Sequence, residues 1–317
     1  MSAQKPHKPV PTVYIPTLNG GENLRRCLAS LEQQTAPAHV VVADNGEGAG
    51  CATLLSERFP EVTRIGFGRN LGFGNALNRA IAEAGEGPII LLNDDAVAKP
   101  QMIEKLVADS TRAELVTAVL LSERDPTRID SAGVLVDQTL MAFDYLCGEP
   151  VSALEGATAP LGPTGGAALY AREAFDAVGG FDERIFLYYE DVDLALRLRA
   201  NGARCVLSPD ARAIHGYSMT LGARSGRKYA MTGWSRGYLM RRYGITGAPP
   251  LAMQALGREA VICAGQLLRD RTLAGARGRI AGWRAADGLS SRQLPQGAIT
   301  PLGLRHALTL RSSGHGA

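Results

Sequence analysis

The chain has no CxxC pair: its five cysteines, Cys27, Cys51, Cys147, Cys205 and Cys263, are scattered along 317 residues. That spacing builds neither a zinc site nor a disulfide framework and fits reduced thiols in a cytoplasmic protein. Met1 to Pro11 is polar and proline-rich and lacks the apolar core of a secretory signal. No stretch is both apolar and long enough to span a bilayer. The nearest approach, Leu251 to Leu268, is broken by Arg258 and Glu259 and would at most lie on a membrane surface. A net charge of +3 is too small to mark a nucleic-acid binder. Acids are scarce in one region: from Arg224 to Arg311 there are many arginines against Glu259, Asp270 and Asp287 alone. Such a surface suits phosphate-bearing lipid or an anionic acceptor, or is a set of solvated helix faces. With 45% hydrophobic and 21% charged residues, the composition is that of a globular protein with a sizeable core.

Short β-branched runs alternate with amphipathic patterns over the first half. Thr12–Ile15, Val40–Ala43, Val62–Phe67 and Ile89–Leu92 read as strands, and Glu22–Gln33, Leu54–Phe59, Gly74–Ala84 and Gln101–Asp109 as helices. This alternation predicts an α/β fold with a mostly parallel sheet flanked by helices. Ligands in such sheets bind beyond the carboxyl ends of the strands. Four polar clusters fall there: Thr17-Leu18-Asn19, Asp44-Asn45, Arg69-Asn70 and Asn93-Asp94-Asp95. The second half is less regular, with strands at Leu115–Leu121, Gly166–Tyr170 and Arg204–Leu207 and helices at Asp191–Asn201, Arg227–Tyr243 and Leu251–Leu273. Ser122–Pro163 reads as a loop-rich connection, and the segment after Gly288 as a poorly ordered tail.

Asn93-Asp94-Asp95 ends the apolar run Pro88–Leu92. A buried strand that stops on two carboxylates meets a cation or a polar substrate there, or turns ahead of Lys99-Pro100. Mg²⁺ and Mn²⁺ favour such oxygens and bring diphosphates with them. Asp44-Asn45-Gly46 offers a carboxylate and an amide to the edge of a pyrimidine base, and equally has the chemistry of a turn. Asn70-Leu71-Gly72-Phe73-Gly74 leads into a helix carrying Asn78. Its glycines allow close backbone approach, and a helix N-terminus suits phosphate. A dinucleotide fingerprint fails, because Leu71 takes the third glycine position after Gly66 and Gly68. Phe186-Leu187-Tyr188-Tyr189-Glu190-Asp191-Val192-Asp193 delivers three carboxylates to the first turn of a helix beside aromatic rings. Acids there complement the helix dipole, and Asp193 can pair with Arg197. A carboxylate held against aromatic rings is also a general base for a hydroxyl nucleophile. His215 is a lone histidine that gains meaning only from the two acidic clusters.

In their order these pieces resemble the family 2 glycosyltransferases, particularly the bacterial rhamnosyltransferase-like branch, from about Thr12 to Ser218. The carriers are Pro16-Thr17-Leu18-Asn19, Asp44-Asn45, Asn70–Gly74 with Asn78, Leu92–Asp95, Gly179-Gly180-Phe181-Asp182-Glu183, Glu190–Leu194, and His215 with Ser218. The resemblance implies a GT-A type fold and inverting, metal-dependent transfer from a nucleotide-diphospho-sugar. It implies that Asp44 reads the base and that Thr17, Asn19, Asn45, Asn70, Gly72 and Asn78 hold the donor. Asn93, Asp94 and Asp95 would form the DxD-type motif, with Asp95 and His215 on the divalent cation, Mg²⁺ or Mn²⁺. Asp191 would be the general base, with Glu190 as its substitute. The implied donor is dTDP-L-rhamnose, with a UDP-sugar as alternative. The implied acceptor is a glycan, a polyprenyl-linked saccharide or a secondary metabolite. No nucleic acid partner is expected, and a homodimer and peripheral contact with the inner face of the membrane through the basic C-terminal region stay open. The expected division is a disordered N-terminus to residue 10, a nucleotide-binding half over 11–121, an acceptor and catalytic half over 122–222, a helical appendage over 223–287 and a tail over 288–317. Two other classes compete. A nucleotidyltransferase wants a basic glycine-rich loop after the first strand, but residues 17–23 hold no Lys or Arg. A non-catalytic sugar-nucleotide-binding protein would have little use for the acidic set.

Overall fold

The structure is a computed structural model that describes residues 10–216 and 225–300. Ser218, the stretch before residue 10, the expected boundary at 222 and the tail beyond residue 300 lie outside the described residues. The first half alternates as its periodicity predicts: β1 (Thr12–Thr17), α1 (Glu22–Leu31), β2 (His39–Asp44), α2 (Gly50–Arg58), β3 (Thr63–Gly66), α3 (Phe73–Glu83) and β4 (Ile89–Leu92). Strands β1, β2 and β4 are largely apolar and buried because both faces are covered, whereas β3 is the exposed sheet edge, and successive side chains go to opposite sides. Val13, Ile15, Val42, Ile90 and Leu92 pack with Leu24 and Leu28 of α1. Tyr14, Val41, Ala43, Ile89 and Leu91 pack on the other side with Leu77, Ala80 and Ile81 of α3.

Beyond β4 come β5 (Ala96–Ala98), α4 (Met102–Asp109), β6 (Leu115–Ser122), β7 (Ile129–Ser131), β8 (Val134–Val136), β9 (Ala142–Asp144), β10 (Ala167–Tyr170), α5 (Arg172–Ala177), α6 (Glu190–Ala200) and β11 (Cys205–His215). The expectation of a mostly parallel sheet is corrected here. The nine-stranded sheet is mixed, in the order β3-β2-β1-β4-β10-β6-β11-β5, with β7 on β6. The strands β3-β2-β1-β4 are parallel, but β10 runs antiparallel to both β4 and β6, and β5 antiparallel to β11. Strand direction depends on which way a connection returns, which apolar patterning does not encode. The last strand is also longer than the expected Arg204–Leu207. It runs on to His215 across an irregularity between Leu207 and Arg212, where Pro209 is accommodated. The loop-rich connection contains β7 and the hairpin of β8 and β9.

The C-terminal unit is α7 (Gly226–Arg242), α8 (Pro249–Asp270) and α9 (Ala274–Ala285). Helices α7 and α9 touch backbone to backbone. A Cβ on Gly237 would collide with the Arg279 carbonyl, and one on Gly282 with the Trp234 carbonyl. The segment after Gly288 has no helix or strand up to residue 300. It is nonetheless tied down: Arg292 reaches Asp182 at 2.6 Å and also pairs with Asp193 of α6. Gly282→Ala is therefore expected to lower stability by about 3 kcal/mol, because backbone cannot yield as a side chain can. Gly257→Ala, on an open face of α8 with nothing within 4 Å, is the control and should be neutral or slightly stabilising. Thermal or urea unfolding of both variants checks this, and equal stabilities would contradict the close packing.

Candidate active site

A cleft of about 640 Å³ opens over the carboxyl ends of β1 to β4, a volume suited to a small-molecule ligand. Register places Thr17 of β1 beside Asp44 of β2, and Asp44 beside Gly66 of β3, so the strand tips end level. Of the residues singled out from sequence, Thr17, Asn19, Asn45, Asn70, Gly72, Asn93, Asp94, Asp95 and His215 line the cleft. Asp44 lines a smaller recess that shares Asn19, Asn45 and Asn70 with it. Asn78 lines neither. Its amide donates to the Phe181 carbonyl at 3.0 Å and accepts from the Phe181 N–H at 2.9 Å, clamping α3 to the Gly180-Phe181 turn.

Several of these groups already shape the site. Asn45 accepts from the Leu71 N–H at 2.7 Å and donates to Asn70 Oδ1 and the Gly72 carbonyl, both at 3.1 Å. Asn70 Oδ1 also accepts from the Gly72 N–H at 2.9 Å. Gly72 has φ +90°, and a Cβ there would strike the Phe186 carbonyl, which accepts from the Phe73 N–H at 3.0 Å. The loop leading into α3 thus docks on the aromatic segment of the opposite wall. The buried Asp44 carboxylate is bound by Arg64 through Nε at 2.8 Å and Nη2 at 2.7 Å. Any base edge read by Asp44 would share it with that guanidinium.

The acidic tip of β4 meets His215 because β11 pairs antiparallel with β5, setting His215 opposite Ala96, next to Asp95. His215 Nε2 and Asp95 Oδ1 lie 3.2 Å apart without the alignment of a hydrogen bond. The other ring nitrogen, Nδ1, is 2.8 Å from Asp130 Oδ2 of β7. Burial opposes charge on this imidazole, but Asp130 and Asp95 outweigh it and push its pKa up to about 10. Asp94 turns away, accepting from Thr17 Oγ1 at 2.6 Å. Burial raises its pKa to about 6 against the pull of that hydrogen bond, with help from the charge on Asp95. Asn93 Oδ1, Asp95 Oδ1 and His215 Nε2 are buried polar atoms without a hydrogen-bond partner. Two buried oxygens and a ring nitrogen, the latter in its neutral form, would suit a divalent cation, and an imidazole oriented from behind by a carboxylate is a common metal ligand. Among the described residues no group of three or more His, Cys, Asp and Glu side chains could cage an ion. The donor set therefore fits a cation that brings anionic ligands of its own, as Mg²⁺ does with substrate phosphates.

Asp191 stands just behind the lining, half-buried, beside Phe73 and Gly165. Its carboxylate accepts the Gly165 N–H at 3.0 Å and the Val192 N–H at 2.8 Å. Burial raises its pKa, and these two N–H groups pull the other way without cancelling the rise. Glu190 is buried, and burial together with the charge on Asp191 raises its pKa as well. The third acid, Asp193, pairs with Arg197 at 2.7 Å as its spacing suggests, and also accepts from Tyr243 Oη at 3.0 Å. Tyr188 and Tyr189, which lead into α6, have φ of 69° and 70°. Two adjacent non-glycine residues in the left-handed region are strained, and such strain persists only where packing enforces it. Lys228 lies over the Tyr188 ring at 5.5 Å and Arg236 over the Tyr189 ring at 5.7 Å, both from α7.

One strip of backbone joins the two acid-bearing segments. The Asn93 N–H donates to the Gly166 carbonyl at 3.0 Å, and the Gly165 N–H donates to Asp191. A Cβ on Gly166 would lie 3.6 Å from Asn93 Nδ2 and 3.9 Å from His215 Nε2, and one on Gly165 3.7 Å from Asp191 Oδ2. Sequence reasoning missed Asp130, an acid on a three-residue strand that only strand pairing brings to His215. It also missed Arg64, and Arg227 and Met231, which line the cleft from α7.

The chain is similar to known proteins. The model of the family described as "Glycosyl transferase family 2" matches residues 12–179. The chain is 33% identical over 232 residues to the N-acetylglucosaminyl-diphospho-decaprenol L-rhamnosyltransferase of Mycobacterium tuberculosis, covering 65% of this chain and 75% of that protein. It is 27% identical over 210 residues to the dTDP-rhamnosyl transferase RfbF of Shigella flexneri, covering 64% and 66%. The mannosyltransferase PcManGT from Pyrobaculum calidifontis, solved in complex with GDP-Man and Mn²⁺, superposes with a TM-score of 0.53 at 20% identity over 98% of this chain and 80% of that one. At that identity the likeness is one of fold. The family match runs from β1 through the cleft-lining tip of β4 to the glycine turn that Asn78 clamps, and on it the chain belongs to glycosyl transferase family 2: it is a glycosyltransferase with a GT-A type fold.

Proposed function

We propose that the protein transfers L-rhamnose from dTDP-L-rhamnose, with inversion, onto a hydroxyl of a polyprenyl-linked saccharide or related glycan. The observation that carries the transfer chemistry is the Asn93–Gly166–Gly165–Asp191 strip. It sets a half-buried carboxylate on one side of a backbone whose other side faces Asn93 and His215. The choice of sugar and nucleotide is supported by the relatives from M. tuberculosis and S. flexneri, an L-rhamnosyltransferase and a dTDP-rhamnosyl transferase, and a UDP-sugar is the alternative.

In this reading Asp191 accepts the proton of the acceptor hydroxyl as its oxygen bonds to the anomeric carbon. The bond from that carbon to the diphosphate breaks, and its electron pair leaves with the nucleoside diphosphate. Asp191 is favoured over Glu190 because it is half-buried beside cleft-lining Phe73, whereas Glu190 is enclosed. Asp95 and His215, with Asn93 beside them, would hold a divalent cation, and Asp130 would orient the imidazole. Bound there, the cation would supply electrostatic stabilisation of the departing diphosphate. Thr17, Asn19, Asn70 and Gly72 would hold the nucleotide, with Asp44 and Arg64 together presenting a polar edge to the base.

Three outcomes are expected. Asp191→Asn should lower turnover by about 10³-fold, within the usual range for loss of a general base, while isothermal titration finds donor affinity within about threefold. Lost donor binding with normal turnover of bound donor would contradict the assignment. Because the pKa of Asp191 is raised, the base is protonated as pH falls through that raised value. The acid limb of kcat/KM should therefore lie above the value of about 4 of an ordinary aspartate, and a limb at or below it would count against Asp191. In a thermal-shift titration, Mn²⁺ and dTDP should stabilise the protein more together than the sum of each alone. His215→Ala and Asp95→Asn should remove that synergy, and synergy that survives both would place the cation elsewhere.

A further inference from the structure

We propose that the outward face of α8 docks on an anionic lipid bilayer. Between Ala248 and Leu268 this helix carries two charged residues, Arg258 and Glu259, and both point into the protein, 5% and 6% exposed. Arg258 pairs with the fully buried Asp137, and Glu259 with Arg236 and Arg279. The opposite side is apolar and open to solvent. Met253, Leu256, Val261, Leu267 and Leu268 are all exposed, Met253 by 75% and Leu268 by 81%. Gly257, Ala260 and Ala264 fill the three- and four-residue steps between them, so the stripe is unbroken by charge over four turns. A helix with charge inward and hydrocarbon outward is the reverse of an ordinary surface helix. A contiguous apolar patch of this kind marks an interaction surface.

The charges at its end choose the partner. The exposed Arg269 and Arg271 follow the stripe, and Leu273, also exposed, continues it. Among the described residues, no carboxylate of the same face answers those arginines. Asp270 accepts from Tyr229 Oη at 2.8 Å, and Asp287 is paired with Arg241. A second copy of the chain, docking the same face on itself, would bring arginine without acid to the contact. A bilayer rich in anionic headgroups supplies both the hydrocarbon and the negative charge. No helix among the described residues is long and apolar enough to cross a membrane, so the contact would be interfacial. Tyr229, which binds Asp270 at the end of α8, lies on the same stretch of α7 as Arg227 and Met231 of the cleft lining. The basic end of the stripe thus adjoins the cleft mouth, where a lipid-linked acceptor would be presented if the proposed function holds.

Flotation of the full chain with vesicles of phosphatidylcholine containing about 30 mol% phosphatidylglycerol should carry the protein upward, while pure phosphatidylcholine binds it at least roughly tenfold less. Arg269→Glu with Arg271→Glu should abolish the preference for the anionic lipid, and about 0.5 M NaCl should weaken it. Leu256→Glu with Leu268→Glu, both on the solvent side and so harmless to the fold, should reduce binding to anionic vesicles at least roughly tenfold. Vesicle-free titration of dTDP and Mn²⁺, unchanged in all these variants, keeps this result distinct from any failure of the cleft assignment. Wild-type protein that stays with the pure-buffer fraction, or Glu variants that float as well as wild type, would overturn the proposal. So would a dimer in light scattering that the leucine variant converts to monomer, which would give the face to a second copy.

Discussion

The backbone of Gly165 and Gly166 is the joint on which the two halves of the cleft depend. One side of this strip accepts the Asn93 N–H and faces the His215 ring, and the other donates to the Asp191 carboxylate. A side chain on either glycine would occupy space shared with a functional group or with Leu120 and Phe73. Bare backbone keeps the acidic tip of β4 and the acidic start of α6 in fixed relation without filling the space between them. The antiparallel entry of β10 makes this arrangement available. Running against β4, it carries its N-terminal flank, Gly165-Gly166, to the carboxyl end of β4, where the cleft opens.

The C-terminal helices hold the second wall in place with charge turned inward. Arg236, 2% exposed, donates to Glu259 and to the carbonyl of Thr139, and stacks over Tyr189. Arg292 joins Asp182 to Asp193, and Tyr243 and Arg197 complete the ring around Asp193. Buried ion pairs of this kind contribute little net stability, but removing one partner leaves an uncompensated charge and is costly. Their consequence here is positional. Asp193 lies one turn inside α6, so fixing it fixes the helix N-terminus that displays Asp191 and sustains the left-handed pair Tyr188-Tyr189. The same inward use of charge is what leaves α8 apolar toward solvent.

How far the sequence reaches can be judged from particular residues. The strands β1 to β4 and their helices were legible because short β-branched or apolar runs alternate with helical patterns there, and the polar tips could be placed on one rim from the parallel-sheet rule alone. The direction of β10 was not legible, since four apolar residues pair equally well either way. Pro209 made β11 look as if it ended at Leu207, whereas an irregularity lets it continue to His215. Asp130 and Asn78 show two ways in which a residue's contacts escape the sequence. Asp130 has no local mark and meets His215 only through pairing of β7 with β6, whereas Asn78 sits in a telling motif and spends its amide on the backbone of Phe181. Arg292 lies in a segment that reads as tail and proves to be part of the support beneath α6.

The metal corner follows from the same economy of side chains. In the proposed reading Asp95 and His215 would be the ligands, and Asn93 adds an amide oxygen with no partner. Asp95 and Asp130 flank the two ring nitrogens of His215 and favour its charged form over the neutral one. In the proposed reading Nε2 would ligate through the neutral ring, as metal-binding imidazoles do. An ion held by so few protein groups gains most from a diphosphate that supplies further oxygens and negative charge. On that reading so sparse a donor set would favour joint capture of cation and donor over a permanently loaded metal site, with Asp130 aiming the ring from behind.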